Sequence, residues 1–262
     1  MKIGFIGGGA LAEAVIKGIV DNFIDSRDIF VSDHKQARCD ELTQTYKINA
    51  TVDVDSFIDF VDVLIIAVKP KDATNAMIEV SSKVKSKAII ISVVAGLKLS
   101  TIEEHFKTQT VARVMPNVAI AVGEGMIAFS MGRINNSFDE DVIFELWAEL
   151  GRCVKVDEKM MDAVTGLSGS GSAYAFLMID ALSDGGVAAG LPRAKAIELA
   201  AQTLLGAAKM VLDTGDHPDI LRDKVTSPAG TTIEGVRVLE KCGVRSALIE
   251  AVMAATNKSK SL

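Results

Sequence analysis

The sequence predicts an N-terminal α/β domain with a doubly wound sheet, followed by an all-α C-terminal domain, and three observations carry that expectation. Short apolar runs alternate with amphipathic segments up to about Asp157. Several of the runs are apolar almost without alternation, the pattern of parallel strands buried on both faces. Beyond Ser168 only segments with helical spacing remain, rich in Ala and Gly. Strand, helix and strand in repetition mean βαβ units, and so a doubly wound sheet. A boundary therefore falls near residue 158, with one domain over 1–158 and a second over 159–262.

Taken in order, the strand-like runs are residues 2–6, 29–32, 63–68, 88–93 and 111–115. Between them the helix-like segments cover about 11–22, 36–47, 73–84 and 101–106. Residues 123–131 and 153–157 read as further strands around a helix at 139–150. The second domain comprises helices at 173–189, 193–212, 232–241 and 245–257. The segment 173–189 is apolar nearly all round, with Tyr174, Phe176, Leu177, Ile179 and Leu182 on more than one face. A helix of that kind must be buried on all sides, which predicts a homodimer through residues beyond 158.

Composition narrows the function classes. With 49% hydrophobic and 24% charged residues in 262, the chain is neither disordered nor a coiled coil. A net charge of −6 argues against a nucleic-acid partner held by phosphate contacts. No apolar stretch approaches the ~20 residues that cross a bilayer. The first strand begins at once, which leaves no room for a signal peptide. Cys39, Cys153 and Cys242 are odd in number and widely spaced, as are His34, His105 and His217. Neither a disulfide framework nor a metal site can be built from them, and a reducing cytoplasm is the expected location.

The chemistry-bearing motifs begin at Gly7-Gly8-Gly9-Ala10-Leu11-Ala12, which follows the first strand and opens the first helix. It reads G-x-G-x-x-A, with Gly7 for the tight turn and Gly9 for close approach of a pyrophosphate to a helix N-terminus. Asp33 ends the second strand, where an acidic side chain accepts from ribose hydroxyls. These residues make the first domain a Rossmann-type dinucleotide-binding domain. Val68-Lys69-Pro70 ends a later strand on the same edge, although taken alone it is also an ordinary strand-to-loop break. Val94-Ala95-Gly96 and Met115-Pro116-Asn117 end two more strands there and could line the nicotinamide end.

In the second domain, residues 225–235 read Val-Thr-Ser-Pro-Ala-Gly-Thr-Thr-Ile-Glu-Gly. Thr231 with Glu234 has the spacing of a capping box, which starts a helix whose first N–H groups favour an anion. Gly230 admits close approach, and the Thr232 hydroxyl can meet a ligand heteroatom. Alone, this is also a plain capped helix start. Gly166–Tyr174 is a second glycine-rich stretch before a helix and carries the same alternative.

Together, Gly4-Phe5-Ile6-Gly7 with its glycine turn, Ala67-Val68-Lys69-Pro70, Met115-Pro116-Asn117, Gly166–Tyr174, Gly206-Ala207-Ala208-Lys209-Met210 and residues 221–240 resemble pyrroline-5-carboxylate reductase. The resemblance implies NAD(P)H-dependent reduction of the C=N bond of Δ1-pyrroline-5-carboxylate to proline. It implies helices that interlock in a homodimer, and it leaves room for a decamer of dimers. Carried over by position, the cofactor contacts are Ile6, Gly7, Gly8, Gly9, Ala10, Leu11, Asp33, Ala67, Val68, Lys69, Pro70, Val93, Val94 and Ala95, to which the strand-end reading adds Asn117. The substrate contacts are Ser227, Gly230, Thr231 and Thr232, with Thr232 bonding the reacting imine as the catalytic residue. The chain departs from the family pattern at Ala10, Leu11, Val54, Val118, Ala119, Ser172 and Ala229, the last standing where the first of two glycines is usual.

Asp33 favours NADH, because a 2′-phosphate there meets like charge; Lys35 or Arg38 could swing over to neutralise it. Two alternatives are a reductase of another cyclic imine or a β-hydroxy acid, and a dinucleotide-sensing dimer. The hydroxy-acid enzymes generally rely on a lysine in the long central helix, and residues 173–190 contain none.

Overall fold

The computed structural model describes residues 1–20 and 22–261. Its eight strands are β1 (Ile3–Ile6), β2 (Ile29–Ser32), β3 (Asn49–Thr51), β4 (Val63–Ile66), β5 (Ile89–Ser92), β6 (Thr110–Met115), β7 (Gly125–Met131) and β8 (Gly151–Lys155). They form one sheet in the order β3-β2-β1-β4-β5-β6-β7-β8. All neighbours pair in parallel except β6 and β7, which are antiparallel. Every residue of β1, β4 and β5 is buried, whereas β2, one place from the edge, alternates. The doubly wound reading holds, with one antiparallel step added and one strand, β3, that the sequence did not announce. Asn49-Ala50-Thr51 has no apolar period; the Asn49 amide fixes this edge by donating to Arg27 O (2.9 Å) and Ile29 O (3.3 Å).

Helices cover both faces of the sheet. On one face lie α1 (Ala10–Ile19), α2 (Gln36–Tyr46) and α5 (Asp139–Ala148); the buried Ala12, Val15, Ile16 and Ile19 of α1 share a core with Ile143, Leu146 and Trp147 of α5. On the other lie α3 (Ala73–Ser81) and α4 (Leu99–His105), which bury Met77, Val80 and Ile102 against Phe57, Leu64, Ile66 and Ile90. Each fully buried aliphatic side chain contributes roughly 1.5–3 kcal/mol relative to exposure, so the i, i+3, i+4, i+7 spacing of α1 is what fastens the glycine turn to the sheet.

The chain divides into two compact units. The first comprises residues 1–170 and the last helix from Ala254 onward. It includes a short helix α6 (Met161–Val164) and a π-helical turn, Thr165–Gly169, closed by Ser170 N–H donating to Thr165 O at 2.9 Å. The glycine-rich stretch that precedes the next helix is therefore in part a wide helical turn. Met161 is buried with Met115 and Ala128, and Ser259 Oγ donates to Asp162 Oδ1 at 2.7 Å.

The second unit, Gly171–Met253, is helical. It holds α7 (Gly171–Ala188), α8 (Arg193–Thr214), α9 (Pro218–Lys224), α10 (Thr231–Lys241) and the first part of α11 (Val244–Ser259). Helix α9 was not expected. Its signal is local: His217 caps it by accepting from Asp219 N–H at 3.2 Å, and Pro218 takes the first position. Phe176, Leu177, Leu199, Leu205 and Leu212 of this unit lie exposed in the single chain.

Candidate active site

In the first unit the expected cofactor residues gather on one edge, outside the carboxyl ends of the parallel strands. Gly7 N–H donates to Ser32 O, Ala67 N–H to Ile6 O, and Val93 N–H to Ile66 O, at 2.7, 2.9 and 3.1 Å. The ends of β1, β2, β4 and β5 are thereby laid side by side at the point where strand order reverses, the crevice in which such sheets take ligands. Gly7 has φ +96°, and a Cβ there would lie 2.8 Å from Ala67 O, so geometry and space both require glycine. At Gly9 a Cβ would meet nothing within 4 Å. Gly9 is also the N-cap of α1 and supplies no side chain to the first N–H groups. An open space over uncapped amides suits a pyrophosphate, so the residues present fit a dinucleotide. Lys69 is exposed and Val93 and Val94 are buried, while Asn117 is turned to structure, its Oδ1 accepting from Ala119 and Met126 N–H at 3.3 and 3.2 Å.

Asp33 is fixed rather than free. Its Oδ2 accepts from Gly8 N–H at 2.9 Å and its Oδ1 from Lys35 N–H at 3.0 Å, with a side chain 11% exposed. His34 Nδ1 lies 3.3 Å from Oδ1, and Oδ2 retains a lone pair for a ribose hydroxyl. Arg38, expected to be able to swing towards a phosphate, is engaged by the protein itself in this structure. Its Nε donates to Gly8 O at 2.6 Å, Nη2 to Glu13 at 2.5 Å and Nη1 to Glu41 at 2.8 Å. Glu41 lies three residues on in the same helix α2, whereas Gly8 of the glycine turn and Glu13 of α1 are brought to it from 30 and 25 residues away. The Arg38 hydrogen bond holds the Glu13 carboxyl below its ordinary value, against the opposing effect of burial.

Under the β6 end of the same edge lies Arg113, 3% exposed. Its Nη1 is 3.7 Å from Glu158 and its Nη2 3.9 Å from Asp162, and its Nε and Nη2 have no hydrogen-bond partner among the described residues. Burial pulls its pKa down and the two carboxylates push it back up. Nothing in the sequence marked Arg113 beyond a charge in an apolar run.

In the second unit Ser227, Pro228, Ala229 and Gly230 form a turn closed by Gly230 N–H donating to Ser227 O at 3.0 Å. Pro228 at the second place and a left-handed residue at the third follow the type II pattern. That third residue is Ala229 at φ +57°, a conformation glycine adopts without cost. The expected capping box is absent. Helix α10 starts at Thr231 with Gly230 as its N-cap and no side-chain cap, and Glu234 pairs with Arg237 at 3.0 Å. The turn places Thr231 inside the helix, too late to cap it. No N-cap side chain covers the first amides of α10, and Thr231 and Thr232 stand exposed in the same turn of helix.

Residues 158–262 match the family model described as pyrroline-5-carboxylate reductase dimerisation, and residues 2–96 the one described as NADP oxidoreductase coenzyme F420-dependent. The chain is 44% identical to a pyrroline-5-carboxylate reductase of Arabidopsis thaliana over 262 residues, covering all of this chain and 95% of the relative. It is 41% identical to that of Synechocystis, covering 100% and 98%. Among solved structures, Plasmodium falciparum pyrroline carboxylate reductase with NADP bound superposes with a TM-score of 0.90 at 30% identity, covering 100% and 97%. The chain belongs to the pyrroline-5-carboxylate reductase family.

Proposed function

We propose that this protein reduces the C=N bond of Δ1-pyrroline-5-carboxylate with NAD(P)H to give L-proline, the last step of proline biosynthesis. The observation that carries the reading is the Ser227–Gly230 turn running into the uncapped start of α10. A cyclic imino acid presents a carboxylate and a ring nitrogen a few ångströms apart. The free amides of α10 and the Ser227 hydroxyl bind the carboxylate without an arginine, and the Thr232 hydroxyl bonds the ring nitrogen. When bound, the nicotinamide cofactor supplies the hydride. An imine that arrives protonated needs no general acid from the chain, so positioning is the main task of these residues.

The glycine turn, Asp33 and the strand ends at Ala67–Pro70 and Val93–Ala95 hold the cofactor in this reading. NADH is favoured over NADPH. Asp33 meets a 2′-phosphate with like charge, which after screening costs roughly 1–2 kcal/mol, or about 5- to 30-fold in affinity. The apolar residues exposed on α7 and α8 are the surface of a homodimer, consistent with the dimerisation family matched there. Helix α7 contains no lysine, which disfavours a hydroxy-acid dehydrogenase. The decisive experiment follows cofactor oxidation and proline formation with pyrroline-5-carboxylate; no turnover with either cofactor in folded protein overturns the reading. The same assay on Asp33→Ser tests the preference, which should move towards NADPH, and light scattering separates a dimer from a decamer.

A further inference from the structure

We infer that Glu13 and Glu41 set cofactor specificity, because they commit the Arg38 guanidinium to the protein and withhold it from a 2′-phosphate. Sites of this kind tell the two cofactors apart by an acidic side chain for the ribose hydroxyls or by a nearby arginine for the phosphate. This chain carries both. Asp33 accepts from the N–H of Gly8 and Arg38 donates to the carbonyl of the same residue, so carboxylate and guanidinium flank a single residue of the glycine turn.

Each of the three nitrogens of the arginine is engaged there. A guanidinium offers five N–H groups in a rigid planar fork. Here the fork is spent on Gly8 O, on Glu13 and on Glu41, and the side chain is 18% exposed. Glu13 is itself held by the Tyr46 hydroxyl, which donates to its second oxygen at 3.0 Å. Charge-assisted bonds of this length are about twice as strong as neutral ones, so a phosphate competes with two carboxylates for the arginine. Two carboxylates thus hold one guanidinium, and Asp33, with His34 Nδ1 3.3 Å from its Oδ1, lies on the other side of Gly8.

The inference rests on the reading that Asp33 disfavours NADPH, and its test separates the two. The quantity to measure is the ratio of kcat/KM for NADPH to that for NADH, in wild type and in Glu41→Gln, Glu13→Gln and the double variant. Glutamine keeps the shape and removes the charge. Glu41→Gln should raise the ratio about 3-fold and the double variant about 10-fold, the range expected for freeing one and then two partly exposed charge pairs. Adding Arg38→Met to the double variant should abolish the gain. A double variant whose ratio stays within about 1.5-fold of wild type overturns the inference, and so does a gain that persists without the arginine. Should Glu13→Gln fail to fold, the exposed Glu41→Gln decides alone, by kinetics and by the two dissociation constants from cofactor fluorescence. A wild type that prefers NADPH, with a ratio that still rises in the variants, refutes the Asp33 reading and leaves this one standing.

Discussion

Gly230→Ala separates the stability of the substrate turn from its chemistry. The backbone at Gly230, φ −77° and ψ 172°, is open to any residue, so alanine introduces no dihedral strain. What it meets is Ser227. The new Cβ would lie 2.3 Å from Ser227 Oγ and 3.1 Å from Ser227 O. The first contact is impossible, and the hydroxyl must leave its position by rotation about χ1. The second requires the carbonyl to give a few tenths of an ångström, which lengthens the bond that closes the turn.

Moving a short side chain to another or a strained rotamer costs about 0.5–1.5 kcal/mol. Replacing glycine at a permitted φ, ψ recovers about 0.4–1 kcal/mol by restricting the unfolded chain. The two nearly cancel, so the melting temperature should move by no more than about 2–4 °C. Activity should not escape. Loss of a hydroxyl that bonds a charged carboxylate costs about 1.5–3 kcal/mol, or about 10- to 150-fold in kcat/KM. Gly235→Ala serves as the control, since a Cβ there meets nothing within 4 Å and lies in the interior of α10. It should gain up to about 1 kcal/mol of stability and keep full activity. The assay is cofactor oxidation with pyrroline-5-carboxylate beside thermal melting of each variant. Wild-type kinetics in Gly230→Ala refutes the placement of Ser227 on the substrate, and a collapse in melting temperature refutes the cancellation.

Three further outcomes are expected. Thr232→Ala should lower kcat/KM about 10- to 150-fold with melting nearly unchanged, because the N-cap is Gly230 and not a threonine; wild-type kinetics removes Thr232 from the site. Glu13 has a folded pKa below its ordinary value of 4.5. Its contribution is therefore present above that pH and lost as pH falls through the folded value, so melting of Glu13→Gln should fall less steeply than wild type in acid, and parallel curves would contradict this. Gly151 has φ +145°, and a Cβ would lie 2.1 Å from Gly125 O across the β7–β8 pair. Gly151→Ala should accordingly cost roughly 3 kcal/mol or more, read as a loss of midpoint in denaturant, and an unchanged midpoint would refute the clash.

What was legible in the sequence is what short-range physics decides. The runs Val63–Ile66 and Ile89–Ser92 announce buried parallel strands because no other element of that length is apolar on both faces. The glycine turn is legible because Gly7 must hold a positive φ whatever surrounds it. Strand β3 is silent because its pairing is secured by an amide reaching residues 20 and 22 positions earlier. The pair Thr231 and Glu234 matched a capping pattern, yet the left-handed Ala229 and the Ser227–Gly230 bond start the helix so that glycine caps it. Arg38 looked like a free cation because its partners Glu13 and Gly8 stand 25 and 30 residues away.

The same reasoning accounts for the two places at which the chain divides. The texture changes from strand to helix near residue 158, but the first compact unit extends to Ser170. Arg113 lies in mid-sheet, paired in register with Ser92 on one side and Ser130 on the other, and burial of its charge costs several kcal/mol unless anions accompany it. The anions come from the segment just past the texture change, Glu158 and Asp162. Glu158 also accepts from Leu99 N–H at 2.6 Å, at the end of the turn that carries Val94 and Ala95, and Asp162 accepts from Ser259 near the close of the last helix. The carboxylates beside this buried cation thus connect α6 and the turn before it both to the sheet and to the loop that carries Val94 and Ala95. Helical periodicity marks where strands stop; the segment that stays with them is the one that carries the anions beside Arg113 and buries Met161 against Met115 and Ala128.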